Sequence, residues 1–431
     1  MLSYADRLRI ILILSAIIVA FISMYVVFSK AYGLAKLYAS LDKDYVSDEI
    51  YYVDSARRIL ERVFHYNTTY WSYSGKTEDD YYNLEHPPLG KYIIALSMVL
   101  CGDKPVCWRL PGIIEASLIP VIVFMAYFGR DSLRILAAVA AASAAASDYI
   151  LHTAGAVAML DIHVAFFTSL TLLAAVRGRL LLAGFLAGAA ASVKMSGIAA
   201  LVALIIYIYY AGWIEDKFKR IIAVIIAAAS VYVVVYVPLV GYFGLVDLVK
   251  ENINAIKWHV TSRPPNGPPT STPTGWIFNV NPFYYSVSGA IVAAKLNTLV
   301  HFPALVIALI LTMYHMDRGS ERRVFSSVLY MSILLTYYMV FVAGNRTLYS
   351  FYGVHLTPAA AGVLAEATLI LGGYGHALKP QGHNNSGGAG SGGVEEPVLG
   401  AGAEEPWPGE AEGGTRLWEG DSGRIRAHGD G

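Results

Sequence analysis

The chain has 431 residues, 56% of them hydrophobic and only 15% charged, with 32 Lys and Arg balanced by 32 Asp and Glu. Soluble domains carry about a quarter charged residues, so this composition, with a mean hydropathy of +0.49, excludes an ordinary soluble domain. A formal net charge of zero gives no argument for nucleic acid or an acidic partner, while recurring runs of about twenty apolar residues point to a lipid bilayer.

Arg7 and Arg9 precede the apolar run Ile10 to Val27. That run is longer than a signal-peptide core, and no small-residue cleavage motif follows, so it reads as a retained first span. Further spans are expected near 110–128, 134–147, 161–176, 180–193, 198–212, 221–243, 297–315, 324–343 and 354–373. Small residues such as Gly184, Gly188, Ala189 and Ala190 suit close helix packing in lipid.

Alternate short connections carry Arg7 and Arg9; Arg130 and Arg134; Arg177 and Arg179; Lys217, Lys219 and Arg220; Arg318, Arg322 and Arg323. The opposite short connections hold only Lys194 and Arg346. By the positive-inside rule both termini are then cytoplasmic, and the long segments 30–109 and 244–296 are extracytoplasmic, with the plasma membrane as the expected location. The apolar stretch 91–101 is too short to span, and counting it as a crossing would invert every later basic cluster. It is therefore expected to lie at the interface or to dip in and return, which requires protein or a wet cavity around it. Cys101 and Cys107, the two cysteines of the chain, bracket a short turn and read equally as a local disulfide or as two free thiols. From residue 374 the composition turns to Gly, Glu, Pro and Ser. Residues 374–431 are expected to form a disordered cytoplasmic tail outside a membrane domain of 1–373.

Within the first outer loop, Ser47, Asp48 and Glu49 precede an apolar period at Ile50, Val53, Ile59, Leu60, Val63 and Phe64, with Arg57, Arg58 and Arg62 on the other face. This predicts an amphipathic helix along the membrane surface. The serine and two acids read either as its N-terminal cap or as functional carboxylates. The segment Glu85-His86-Pro87-Pro88-Leu89-Gly90-Lys91 is either a rigid turn or a source of two cationic donors, His86 and Lys91. Lys194 interrupts an apolar stretch, as a snorkelling side chain or as a charge facing a wet cavity.

An Asp-Glu pair shortly after the first span, followed some forty residues on by HPPLGK, resembles the protein O-mannosyltransferase family and its relatives. Met159-Leu160-Asp161 with Phe166 and Phe167 is similar to that family's Leu-Asp pair at the outer end of a middle span. Where many members place an arginine five or six residues earlier, this chain has Gly155 and Ala156, with His152 nearby. The second outer loop, with Trp258, His259, Arg263, a Pro-rich run and Trp276, resembles the family's late loop, and Arg346 stands where members carry an arginine for the carrier phosphate. The resemblance implies an all-α polytopic membrane protein of the GT-C fold, with amphipathic helices in the first outer loop. It also implies transfer of a mannose-like hexose from a polyprenyl- or dolichyl-phosphate donor to an acceptor hydroxyl on the outer face, with protein Ser or Thr as the expected acceptor.

In that scheme Asp48 is the base and Glu49 orients it or binds the acceptor, while His86, Lys91, Asp161, Lys194, Arg263, Arg346 and Tyr349 bind donor phosphate or substrate. No cofactor is required, and a divalent ion held by Asp48, Glu49 and Asp161 is not expected. A homo- or hetero-dimer is left open. The alternatives are a related enzyme acting on a lipid or lipid-linked glycan, and a transporter or lipid flippase, which would show inverted repeats and midplane polar groups.

Overall fold

The computed structural model describes residues 3–41, 45–68, 77, 81–262, 265, 267–286, 292–318 and 324–373. The expectation for the tail 374–431, and those for Arg263, Arg322 and Arg323, lie outside the described residues. The protein is an integral, multi-pass membrane protein of all-α type. Among the described residues, six helical segments are long and apolar enough to cross a bilayer: Asp6–Leu41, Pro105–Tyr127, Lys217–Phe243, Thr298–Arg318, Phe325–Val342 and Ser350–Leu371.

In chain order the helices are α1 (Tyr4–Leu41), α2 (Glu49–Arg58), α3 (Leu89–Cys101), α4 (Pro105–Tyr127), α5 (Ser132–Ala146), α6 (Tyr149–Gly155), α7 (Leu160–Val176) and α8 (Leu180–Val193). They continue with α9 (Ile198–Tyr210), α10 (Lys217–Phe243), α11 (Leu245–Val260), α12 (Pro273–Ile277), α13 (Thr298–Arg318), α14 (Phe325–Val342) and α15 (Thr357–Leu371). A small antiparallel pair, β1 (Tyr284–Ser286) with β2 (Val292–Ala293), sits between α12 and α13. The predicted span at 134–147 is the first half of a pair, α5 and α6, bent by 56°. The three shorter apolar helices α7, α8 and α9 occupy the other predicted crossings.

Two sequence expectations change. The first span does not stop at residue 29: α1 continues to Leu41, through Lys30 and Lys36, so the outer loop begins about a dozen residues later than predicted. The helix after Asp48 is not a surface helix with solvated arginines. Arg57 and Arg58 are buried: Arg57 bonds Asp103 through Nε at 2.6 Å and NH2 at 2.9 Å, and Arg58 bonds Asp54 at 2.8 Å. A buried charge is tolerated only when paired and hydrogen-bonded; the Arg58–Asp54 pair lies within α2, and the Arg57–Asp103 pair fastens α2 to the turn between α3 and α4. That turn is also closed covalently, since Cys101 and Cys107 form a disulfide.

The ends of α4 mark the two ends of the bundle, about 35 Å apart at 1.5 Å per residue. At its start Arg109 meets Glu49 and the Ala35 carbonyl of α1. At its end the carbonyls of Met125 and Phe128 accept from Arg177, while Arg9 donates to the Arg130 carbonyl at 2.9 Å. Arg9, Arg130 and Arg177, three of the basic residues used to orient the chain, thus gather at one end, and the loop carrying Asp48 lies at the other.

Candidate functional site

The chain enters α2 through a strained turn. Ser47 has φ +56°, a left-handed conformation that non-glycine residues adopt only when the surroundings hold them there. Its hydroxyl is buried with no hydrogen-bond partner, so the expected serine cap is not formed. Asp48 occupies the N-cap position, yet its side chain makes no capping bond. It lies instead on the wall of a cavity of about 570 Å³.

The neighbouring carboxylate goes the other way. Glu49 is fully buried, accepting from Arg109 Nε at 2.7 Å and NH2 at 2.6 Å, and from the amides of Ala158 and Val46, each at 2.8 Å. Such a bidentate, charge-assisted pair is strong and geometrically specific. Glu49 therefore ties α2, α4 and the segment before α7 together and fixes the turn from which Asp48 projects. Arg109 was not singled out in the sequence, where Gly155 and Ala156 replace the arginine expected before Asp161. The structure brings Arg109 to that same segment from α4, while His152 is engaged with the Ala146 carbonyl at 2.9 Å.

On the cavity's second side, α8 ends at Lys194 in an extended conformation and a short 3₁₀ turn leads into α9. Gly197 makes this break: a Cβ there would fall 2.2 Å from the Ala190 carbonyl oxygen, so only glycine lets the two backbones approach so closely. Lys194 Nζ lies 3.0 Å from both oxygens of Asp161, at the start of α7, and 4.4 Å from the centre of the Tyr352 ring. His355 Nε2 stands 3.2 Å from Asp161, and its Nδ1 pairs with the Tyr337 hydroxyl at 2.8 Å. Lys194 is thus held by a carboxylate and an aromatic face, with its side chain on the cavity wall.

Of the predicted residues, Asp48, His86, Lys194 and Tyr349 line this cavity together, and Asp161 stands directly behind Lys194. Lys91 does not line it: its ammonium donates to the carbonyls of Asn83, Tyr82 and His86 and so holds the Pro-Pro loop from inside. Arg346 is exposed beside the cavity residues Asn345 and Thr347, over the Phe341 ring at 4.8 Å. The three acids considered as metal ligands point in different directions, and among the described residues no group of three or more His, Cys, Asp or Glu is gathered for a metal. Sequence reading missed Tyr52, which donates a hydrogen bond to Asp48, and the pairing of His86 with His259, whose rings lie 5.3 Å apart. The first pair is a local i, i+4 contact at the start of α2, whereas only the return of α11 brings His86 and His259 together.

Burial sets the electrostatics. It pushes the Asp48 carboxyl up to about 6 against the lowering pull of Lys194, with the Asp161 charge adding to the rise. Burial also holds the His86 imidazole well below its ordinary value, helped by the charge on Lys194. At neutral pH the cavity then offers an ionised carboxylate with a strong affinity for a proton, a fixed ammonium, and a neutral imidazole.

Residues 85–241 match the family model of dolichyl-phosphate-mannose-protein mannosyltransferases. No curated protein sequence matches the chain significantly. Among solved structures, ArnT from Cupriavidus metallidurans in its apo state superposes with a TM-score of 0.50 at 19% identity, covering 85% of this chain and 60% of ArnT. The same protein bound to undecaprenyl phosphate gives 0.51 at 16% identity, covering 85% and 61%. The chain therefore spans about three fifths of the length of these structures. The matched segment runs from the Pro-Pro loop through Asp161 and Lys194 into α10; over it the chain is similar to that family, and the arrangement of its helices is the GT-C fold.

Proposed function

We propose that this protein transfers a sugar from a polyprenyl-phosphate donor to an acceptor hydroxyl in the cavity beside Asp48, on the extracytoplasmic side of the membrane. The observation that carries this reading is the division of labour between adjacent acids: Glu49 is consumed by Arg109, and Asp48 is left on the cavity wall. An alcohol is a poor nucleophile, so a positioned carboxylate must take its proton as the new bond forms. Asp48, raised to about 6 by burial, is ionised at neutral pH and close enough to the working pH to accept that proton. As the acceptor oxygen bonds to the anomeric carbon, the bond from that carbon to the phosphate oxygen breaks, and the polyprenyl phosphate leaves with the electron pair.

The leaving phosphate gains negative charge, which preorganised cations stabilise. Lys194, held rigid by Asp161 and Tyr352, is one such group, and Arg346 at the outer connection is a second. Glu49 and Lys91 act through position: the first fixes the Asp48 turn, the second the loop that carries His86. His86 and Tyr349 form part of the surface a substrate meets. A mannose-like hexose and a protein Ser or Thr acceptor are the reading favoured by the family match over 85–241. A lipid or lipid-linked acceptor would use the same groups.

The test is chemical identification of the product. Protein in vesicles is supplied with a radiolabelled polyprenyl-phosphate hexose and with Ser/Thr peptides or lipid acceptors in parallel. Label appearing on peptide supports the protein acceptor, and label appearing only on lipid replaces it. Release of no sugar to any acceptor, with the donor bound, would remove the transferase reading.

A further inference from the structure

α11 presents three distinct faces along its 16 residues. Leu248, Asn252 and Ala255 point inward, where the Asn252 side-chain Oδ1 accepts from the hydroxyls of Tyr232 at 2.7 Å and Tyr236 at 3.0 Å. His259 continues that face and reaches the cavity. A second stripe, Leu245, Val249, Ile253, Ile256 and Val260, follows the spacing i, i+4, i+8, i+11, i+15, and every member is between 46% and 63% exposed; its last two members also line the cavity, so Leu245, Val249 and Ile253 form the part that faces away from it. The third face carries Asp247, Lys250, Asn254 and Lys257, all exposed. A soluble helix of this kind needs only an inward stripe and a polar one; an additional exposed apolar stripe between them requires a non-aqueous neighbour.

Continuity with the membrane-spanning surface identifies that neighbour. α10, which meets α11 at Gly244, is itself a span whose outer flank is apolar and open at Val233, Val234, Val237 and Tyr242. The α11 stripe begins at Leu245, directly after this lipid-facing flank ends. The third face carries one acid, Asp247, against two bases, Lys250 and Lys257, and a single net charge is too small for attraction to headgroups to explain the stripe. We infer that α11 lies in the outer interface of the bilayer, with Leu245, Val249 and Ile253 embedded among acyl chains and Ile256 and Val260 carrying the stripe on to the edge of the cavity. The membrane thereby sets the depth of His259, and with it the position of the cavity wall that faces His86. This assignment stands on the surface of α11 alone and does not depend on the transferase reading.

Because the two cysteines of the chain are joined in a disulfide, one introduced cysteine can be labelled selectively. Ile253→Cys and Asn254→Cys, each carrying a nitroxide in the full chain in lipid nanodiscs, are compared for relaxation by oxygen, which partitions into lipid, and by a water-soluble nickel chelate. The label at 253 is expected to favour oxygen several-fold over nickel, and the label at 254 to show the reverse. Equal access of nickel to both positions would overturn the proposal. So would loss of both reagents' access at 253 together with dipolar broadening between labels, which would put a second copy of the chain, and not lipid, on the stripe.

Discussion

Glu49 and Arg109, sixty positions apart in the chain, form a fully buried bidentate pair, while Asp48, one residue before Glu49, turns its carboxylate to the cavity. One acid of the pair builds the site and the other is available to work in it. The two should therefore separate cleanly in experiment.

Glu49→Gln leaves Arg109 as an uncompensated buried charge, and breaking such a pair costs about 3–5 kcal/mol. Thermal unfolding in nanodiscs should show a large loss for Glu49→Gln, with transfer activity falling in parallel. Asp48→Asn removes no structural bond beyond that from Tyr52 and should unfold at or above the wild-type temperature. Equal destabilisation by both substitutions would show that Asp48 is also structural.

The raised Asp48 carboxyl gives a pH signature. A group whose folded value lies above its unfolded one stabilises the fold most when protonated, and that contribution is lost as pH rises through the folded value, here about 6. The stability of the wild type relative to Asp48→Asn should accordingly improve as pH falls from 7 to 5. A base must be ionised, so single-turnover transfer should move oppositely, decreasing by about tenfold per pH unit below 6. A rate flat between pH 5 and 7 would contradict the assignment.

Lys194 and Asp161 form a second buried pair, 3.0 Å apart. Lys194→Met strands Asp161 and should be strongly destabilising, and Lys194→Met with Asp161→Asn should be less so than the sum of the two. A double-mutant cycle on unfolding free energy should return a coupling of about 1–3 kcal/mol. Strict additivity would mean that the lysine faces the cavity unpaired.

Gly188 packs so closely on α10 that a Cβ would lie 2.4 Å from the Ala228 carbonyl oxygen. Gly188→Leu should force α8 and α10 apart, with a cost of at least about 1–3 kcal/mol and a fall in yield of folded protein. Unchanged stability would mean that the two helices are not in contact there.

These cases show where sequence reading succeeds and where it stops. The crossings were legible because hydropathy over some twenty residues is a property of the local chain, and the packing glycines of α8 because small residues have few other uses in lipid. The end of α1 was missed because Lys30 and Lys36 interrupt the apolar run without interrupting the helix. Arg57 and Arg58 were assigned to the water face because helical spacing names a face but not what covers it; Asp103, which covers Arg57, lies 46 positions away. Asp48 stood out through its motif, but its separation from Glu49 in role depends on Arg109, and the meeting of His86 with His259 depends on α11 folding back. Such pairings are set by tertiary contact and leave no local trace.

The most direct measurement compares wild-type protein and Asp48→Asn in one membrane preparation, following transfer from a radiolabelled polyprenyl-phosphate sugar in single turnover alongside donor binding and unfolding temperature. The account predicts that Asp48→Asn binds the donor and unfolds like the wild type, yet transfers at least a hundredfold more slowly, the low end of the roughly 10²–10⁴-fold range for a general base. Transfer at the wild-type rate by folded Asp48→Asn would contradict it.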